Sequence, residues 1–245
     1  MTDLFRKSLI TTQDWKKEWL DEVLEVAKDM KKHRYEKPYT KLLKNKTFLM
    51  FFYNPSVRTR QSFEAAATEL GGHAQFLEPK SMRLKSKGKA GETIEDAANV
   101  MSRYGVGLGI RMLEDAIEEY GQGDELLREY AKYGTIPVIS MAHDKYHPCQ
   151  GLSDLMGLQE HMGDVKGKKI TLMWGYSSMV RSWSSVQEDI LLMPRYGMNF
   201  TLAYPEGFDL DPEVIKTAKE NAEAAGATFE ITHDRFEAVK DAQVV

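Results

Sequence analysis

A chain of 245 residues that is 42% hydrophobic and 29% charged has the apolar content to bury a core, too much of it for disorder, and length enough for two domains. Its net charge of −4 argues against a nucleic-acid binder, which needs a basic face to displace counterions. No apolar run approaches the ~20 residues of a membrane span. The single cysteine, Cys149, rules out an intrachain disulfide and a cysteine-type zinc site. The opening residues Met1-Thr2-Asp3-Leu4-Phe5-Arg6-Lys7 lack a signal-peptide core, so the expected location is cytoplasmic.

The segment 15–33 carries Trp15, Trp19, Leu20, Val23, Leu24, Val26, Ala27 and Met30 at spacings of three and four, which predicts a packing helix with its tryptophans in the core. A strand over 47–53 is stopped by Asn54-Pro55, and good helix sequence over 62–70 ends at Gly71-Gly72. Next come a strand over 74–77, a loop rich in Lys and Arg over 80–89, a helix over 93–104 and a strand over 107–110 ending at Arg111. A helix over about 113–133 with a Gly-rich interruption and a strand over 137–141 follow, then a polar loop to His147 and a helix over 152–162. After the turn 163–169 the pattern restarts, with strands over 170–176, 200–204 and 228–232, helices over 184–196 and 212–225, a helical turn over 236–240 and a further strand beginning at 243. Strands alternating with helices predict an α/β fold of two Rossmann-like parallel-sheet domains, 1–150 and 151–245, the second incomplete.

In parallel sheets, ligands collect at the carboxyl ends of strands. Ser56, Arg111 and His147 each follow or end a predicted strand and so converge on one edge. The first of these segments, Pro55-Ser56-Val57-Arg58-Thr59-Arg60-Gln61-Ser62-Phe63-Glu64, places hydroxyls and two permanent cations at a helix N-terminus, where free N–H groups and the dipole favour an anion. The plainer reading is an N-cap with solvated arginines, and on pattern alone the two stand at even odds. A lone His-Pro pair is likewise more often a turn than a catalytic group. Cys149 as a catalytic thiol is the weaker reading, since a nucleophilic cysteine needs a neighbouring base and its flanks, His147-Pro148 and Gln150, have another use.

That segment, with Leu70-Gly71-Gly72-His73-Ala74 beyond it, resembles the Ser-x-Arg-Thr-Arg carbamoyl-phosphate signature of the aspartate and ornithine carbamoyltransferases. Gly109-Ile110-Arg111 and His147-Pro148-Cys149-Gln150 resemble the strand-ending arginine and the His-Pro-x-Gln motif of the same superfamily, in the same order. The resemblance runs from Trp15 to Val245. It implies that Ser56, Arg58 and Thr59, with the amides around Val57, bind the phosphate of carbamoyl phosphate, and that Arg60 helps hold the turn. Thr59, Arg111 and His147 would hydrogen-bond the carbonyl oxygen, while Gln150 and the Pro148 carbonyl would hold the carbamoyl NH2. No cofactor, metal or protein nucleophile is implied. The second partner is an amino-acid amine, the expected assembly is a homotrimer, and the neighbouring subunit would lend the Lys-rich loop to the site.

Within the superfamily, Asn54-Pro55-Ser56 is similar to N-acetylornithine enzymes and His-Pro-Cys-Gln to ornithine-type ones. Lys87-Gly88-Lys89-Ala90-Gly91-Glu92-Thr93 resembles the loop carrying a substrate lysine in aspartate enzymes, with Ala90 at that lysine's natural position and Lys87 or Lys89 as substitutes. The stretch from Trp174-Gly175-Tyr176 to Tyr204-Pro205-Glu206-Gly207 looks like the knotted, N-acylornithine-like branch, and Arg181 is the candidate for the acceptor carboxylate. The sequence stops before the family's Asp-x-x-x-Ser-Met-Gly and His-Cys-Leu-Pro motifs. The expected activity is therefore carbamoyl transfer to ornithine or an N-acylornithine, serving arginine biosynthesis. The alternatives are an aspartate-type or other-amine enzyme, and a non-catalytic carbamoyl-phosphate-binding paralogue or fragment. A nucleotide-binding Rossmann enzyme is disfavoured because no Gly-x-Gly-x-x-Gly follows a predicted strand.

Overall fold

In the computed structural model, which describes residues 4–85, 90–176 and 183–245, the chain divides into two units, Met1–Tyr146 and His147–Val245. The division falls slightly before the expected boundary at 150.

The first unit holds strands β1 (Thr47–Phe52), β2 (His73–Leu77), β3 (Gly107–Met112) and β4 (Val138–His143), with helices α1 (Lys17–Lys32), α2 (Val57–Glu69), α3 (Ile94–Tyr104) and α4 (Gln122–Tyr133). The strands form one parallel sheet in the order β2-β1-β3-β4. Side chains alternate across a strand, so Leu49 and Phe51 join Leu108, Ile110, Leu127 and Tyr130 in one core, while Met50 and Phe52 join Ala67, Ala74 and Met141 in another. Burial on both faces explains why β1 reads as a continuous apolar run. Leu9 extends the β4 edge, accepting from Ser140 N–H and donating to the Val138 carbonyl, each at 2.8 Å. Trp15 is buried and donates through Nε1 to the Ser8 carbonyl at 2.8 Å.

The second unit holds α5 (Pro148–Met162), β5 (Lys169–Met173), α6 (Ser184–Arg195), β6 (Asn199–Ala203), α7 (Pro212–Ala225), β7 (Phe229–Thr232) and the short α8 (Arg235–Val239). Its sheet is parallel in the order β5-β6-β7, and Val244 bridges to Ile170 beside β5. Phe200 and Leu202 of β6, Leu191 and Leu192 of α6 and Ala218 of α7 are each buried.

Three helix boundaries differ from expectation, and two of the differences move candidate site side chains. Helix α2 starts at Val57 rather than 62, because Ser56 takes an extended backbone and caps it; Arg58, Thr59 and Arg60 are therefore first-turn residues and not a turn. Helix α5 starts at Pro148 rather than 152, with His147 as its cap, so Gln150 lies in its first turn. The expected helix from 113 is only a 3-10 turn at Glu114–Ala116, and α4 begins at Gln122. Gly121 there sits at φ 94°, a left-handed conformation that glycine adopts without strain and that separates the two pieces. Among the described residues, no helix is long and apolar enough to cross a membrane.

Candidate active site

Because β1, β3 and β4 are adjacent and parallel, their carboxyl ends share one edge of the first sheet. At the end of β1, Ser56 Oγ accepts from the Thr59 amide at 3.2 Å. This satisfies one orphan donor of α2 and leaves the hydroxyl hydrogen for a ligand. Val57 is 77% exposed, and Arg58 is also exposed. Arg60 stacks over the Phe76 ring, 4.1 Å from its centroid, and its Nε lies 3.5 Å from Glu64. Arg60 thus ties α2 to β2.

Arg111 pairs with Phe52 in the β1–β3 register and is half-buried. Its Nη1 reaches the Met141 carbonyl at a long 3.4 Å, and its Nε is buried without a hydrogen-bond partner. Burial lowers its pKa, Asp115 and Glu114 act in the opposite direction, and the Arg58 guanidinium is close enough to repel it. Two cations thus approach one another at a sheet edge, one of them with an unfilled buried donor. An anion there would relieve both costs.

Two braces that the sequence did not reveal hold this edge. Asn54, buried after β1, accepts from Leu113 N–H at 2.6 Å and donates to the Asp115 carboxylate. It ties the approach to α2 to the segment leaving β3. Buried His143 lies 2.8 Å from Ser140 Oγ through Nδ1 and 3.3 Å from Asp124 through Nε2. Burial alone would raise the Asp124 carboxyl, but hydrogen bonds from His143 and Arg128 hold it down at about 2. Asp144 completes the brace by accepting from the Gly121 and Asp124 amides. The sequence signal was a His-Asp pair following a strand, but its partners lie about twenty residues away and only the fold identifies them.

The remaining motif opens the second unit. His147 Nδ1 accepts from the Gln150 amide at 3.4 Å, and Pro148 occupies the first helical turn, where its missing N–H costs nothing. Gln150 Nε2 donates to both oxygens of Asp154, at 2.9 and 3.0 Å. Burial and Glu188 push the Cys149 thiol up to about 12, so it stays protonated and unreactive near neutral pH. At the carboxyl ends of β5, β6 and β7, Trp174, Tyr204, His233 and Arg235 help line a cleft of about 690 Å³. Trp174 and Tyr204 stack there at 4.6 Å. Lys87, Lys89 and Arg181 lie outside the described residues. Among the described residues, no cluster of His, Cys, Asp and Glu could hold a metal ion.

Known proteins resemble the chain in both units. Residues 7–160 match the family described as aspartate/ornithine carbamoyltransferase, carbamoyl-P binding domain, and residues 166–245 match its Asp/Orn binding domain. The chain is 37% identical to the anabolic ornithine carbamoyltransferase of Pyrococcus furiosus, over 100% of this chain and 72% of the relative. It is 34% identical to the N-acetylornithine carbamoyltransferase of Xylella fastidiosa, over 98% of this chain and 73% of the relative. A solved acetylornithine transcarbamylase complexed with acetylcitrulline superposes with a TM-score of 0.85 at 33% identity, covering 95% of this chain and 72% of that one.

Proposed function

We propose that this chain, which belongs to the aspartate/ornithine carbamoyltransferase family, transfers the carbamoyl group of carbamoyl phosphate to the amine of ornithine or an N-acylated ornithine, releasing phosphate. The observation that carries the reading is Arg111. Its Nε is buried and unpartnered beside Arg58, at the strand edge where Ser56 and Thr59 open α2. A dianionic phosphate and a carbonyl oxygen that gains negative charge supply what those donors lack.

In this mechanism Ser56, Arg58 and Thr59 grip the phosphate, and Arg111, Thr59 and His147 donate to the carbonyl oxygen. The neutral amine attacks the carbonyl carbon, a C–N bond forms, and the C–O bond to phosphate breaks. The departing phosphate accepts the amine proton. Each donor fixed where charge develops contributes ~3–4 kcal/mol, and holding both substrates in attack geometry supplies much of the rest. Gln150 and the Pro148 carbonyl hold the carbamoyl NH2. Lys87, Lys89 and Arg181 are assigned to the acceptor, and a homotrimer is the proposed assembly, with the loop around Lys87 acting on a neighbouring subunit.

Relatives named for ornithine and for N-acetylornithine lie at 37% and 34% identity, so the acceptor is an ornithine-type amine. A phosphate-release assay with ornithine, N-acetylornithine, N-succinylornithine and aspartate tests this. Turnover with one of the first three supports the reading. Turnover with aspartate alone, or with none of the four, rejects it.

A further inference from the structure

Gln150 and Asp154 stand one turn apart on α5, a spacing that stacks them on one helical face. A glutamine amide is nearly symmetrical in shape but opposite in chemistry at its two ends, with Nε2 donating and Oε1 accepting. A carbamoyl NH2 has only hydrogens to offer, so it needs Oε1. Something must therefore settle which end faces it.

We propose that Asp154 is the positioning residue for Gln150: its carboxylate claims the Nε2 end of the amide and leaves Oε1 as the acceptor for the carbamoyl NH2. Both Asp154 oxygens lie within hydrogen-bonding distance of Nε2, at 2.9 and 3.0 Å. A flipped amide would set Oε1 against two acceptors with no proton between them. The cost of that arrangement fixes the orientation.

Asp154 lines a cleft of about 460 Å³ together with Asp189 of α6. Helix α6 lies close against the first turns of α5, since a Cβ on Gly151 would come within 2.9 Å of Glu188 and 3.5 Å of Asp189. Burial, Asp154 and Glu188 push the Asp189 carboxyl up to about 8. At neutral pH Asp189 is thus the neighbour that keeps its proton. Asp154, although raised by burial, has the Gln150 hydrogen bond favouring its charged form, the form that can only accept.

The inference rests on the proposed contact between Gln150 and the carbamoyl group. Its test is calorimetric titration of the full chain with fresh carbamoyl phosphate and, separately, with inorganic phosphate, which lacks the NH2. Asp154→Leu is expected to weaken carbamoyl phosphate by roughly 5- to 10-fold, the worth of one hydrogen bond, and to leave phosphate unchanged. Asp154→Asn, whose amide can turn either its Oδ1 or its Nδ2 to Gln150, should recover only part of that loss. Adding Asp154→Leu to Gln150→Ala should weaken binding no further, because a positioning residue has nothing left to position. Thermal melting checks folding, and Asp154→Ala replaces the leucine variant should that one fail to fold. Equal loss of both ligands, full additivity with Gln150→Ala, or a silent Asp154→Leu alongside a defective Gln150→Ala overturns the positioning role alone. A Gln150→Ala chain that binds carbamoyl phosphate like the wild type overturns the parent reading as well.

Discussion

The N-termini of α2 and α5 are built alike and equipped oppositely. Each follows a loop after a parallel strand and is capped by a motif side chain, Ser56 in one case and His147 in the other. The first presents two guanidiniums, Arg58 and the half-buried Arg111, with the Asp115 and Glu114 carboxylates also acting on Arg111. The second is backed by carboxylates, with Asp154 bonded to Gln150 and Asp189 close behind. A helix N-terminus alone favours any anion, so the neighbouring side chains decide what each one accepts. Guanidiniums and hydroxyls suit a phosphate, whereas carboxylates behind a glutamine orient an acceptor toward a neutral NH2.

Removing charge from the first terminus should have the largest effect. Arg111→Ala and Arg58→Ala are each expected to cut carbamoyl transfer by about 10²–10³ with the melting temperature unchanged. A parallel loss of melting temperature and rate would make these side chains structural. At the second terminus, His147→Asn should lower turnover while inorganic phosphate still competes with wild-type affinity, and a wild-type rate would remove His147 from the machinery.

Packing behind the second terminus comes next. Gly151→Ala places a Cβ 2.9 Å from Glu188 Cγ and 3.3 Å from Leu192, and overpacking of this kind costs about 1–3 kcal/mol. Urea melts should show it, while Cβ addition at an open position such as Gly157, where nothing lies within 4 Å, should produce no clash.

The pH response sharpens the contrast in carboxylates. Asp189 keeps its proton in the folded chain up to about 8, against an ordinary 3.8. Between those values the folded state binds more protons than the unfolded one, so stability falls as pH rises through that window. Asp189→Asn removes this term. It is expected to stabilise by about 1–2 kcal/mol more at pH 8 than at pH 5, and a pH-independent difference in melting temperature would contradict the assignment. Smallest is Ser56→Ala, where loss of the cap costs about 1 kcal/mol together with some affinity for phosphate.

The parallel sheets and the strand-end motifs were legible because apolar runs and their stops are local properties of sequence, whereas the strand order was not predicted. The starts of α2 and α5 were not legible, for a shared reason: a first turn that faces a ligand carries no apolar periodicity. The pattern therefore begins only at Phe63 and Leu152, although Ser56 and Pro148 were usable start signals. The acidic and apolar residues from Leu113 to Ala116 imitate a helix but close only a 3-10 turn, and Gly121 at φ 94° sets the start of α4. The Ser140–His143–Asp124 brace and the Gln150–Asp154 pair depend on fold geometry and rotamers, and composition carries neither.

The first unit's sheet edge is proposed to grip an acyl phosphate through Arg58, Thr59 and Arg111. Calorimetric titration of the purified chain with carbamoyl phosphate tests it most directly. Saturable binding that inorganic phosphate displaces, and that both Arg58→Ala and Arg111→Ala abolish without loss of fold, is the predicted result. Saturable binding indifferent to both substitutions, or no binding by a folded wild-type chain, would contradict it.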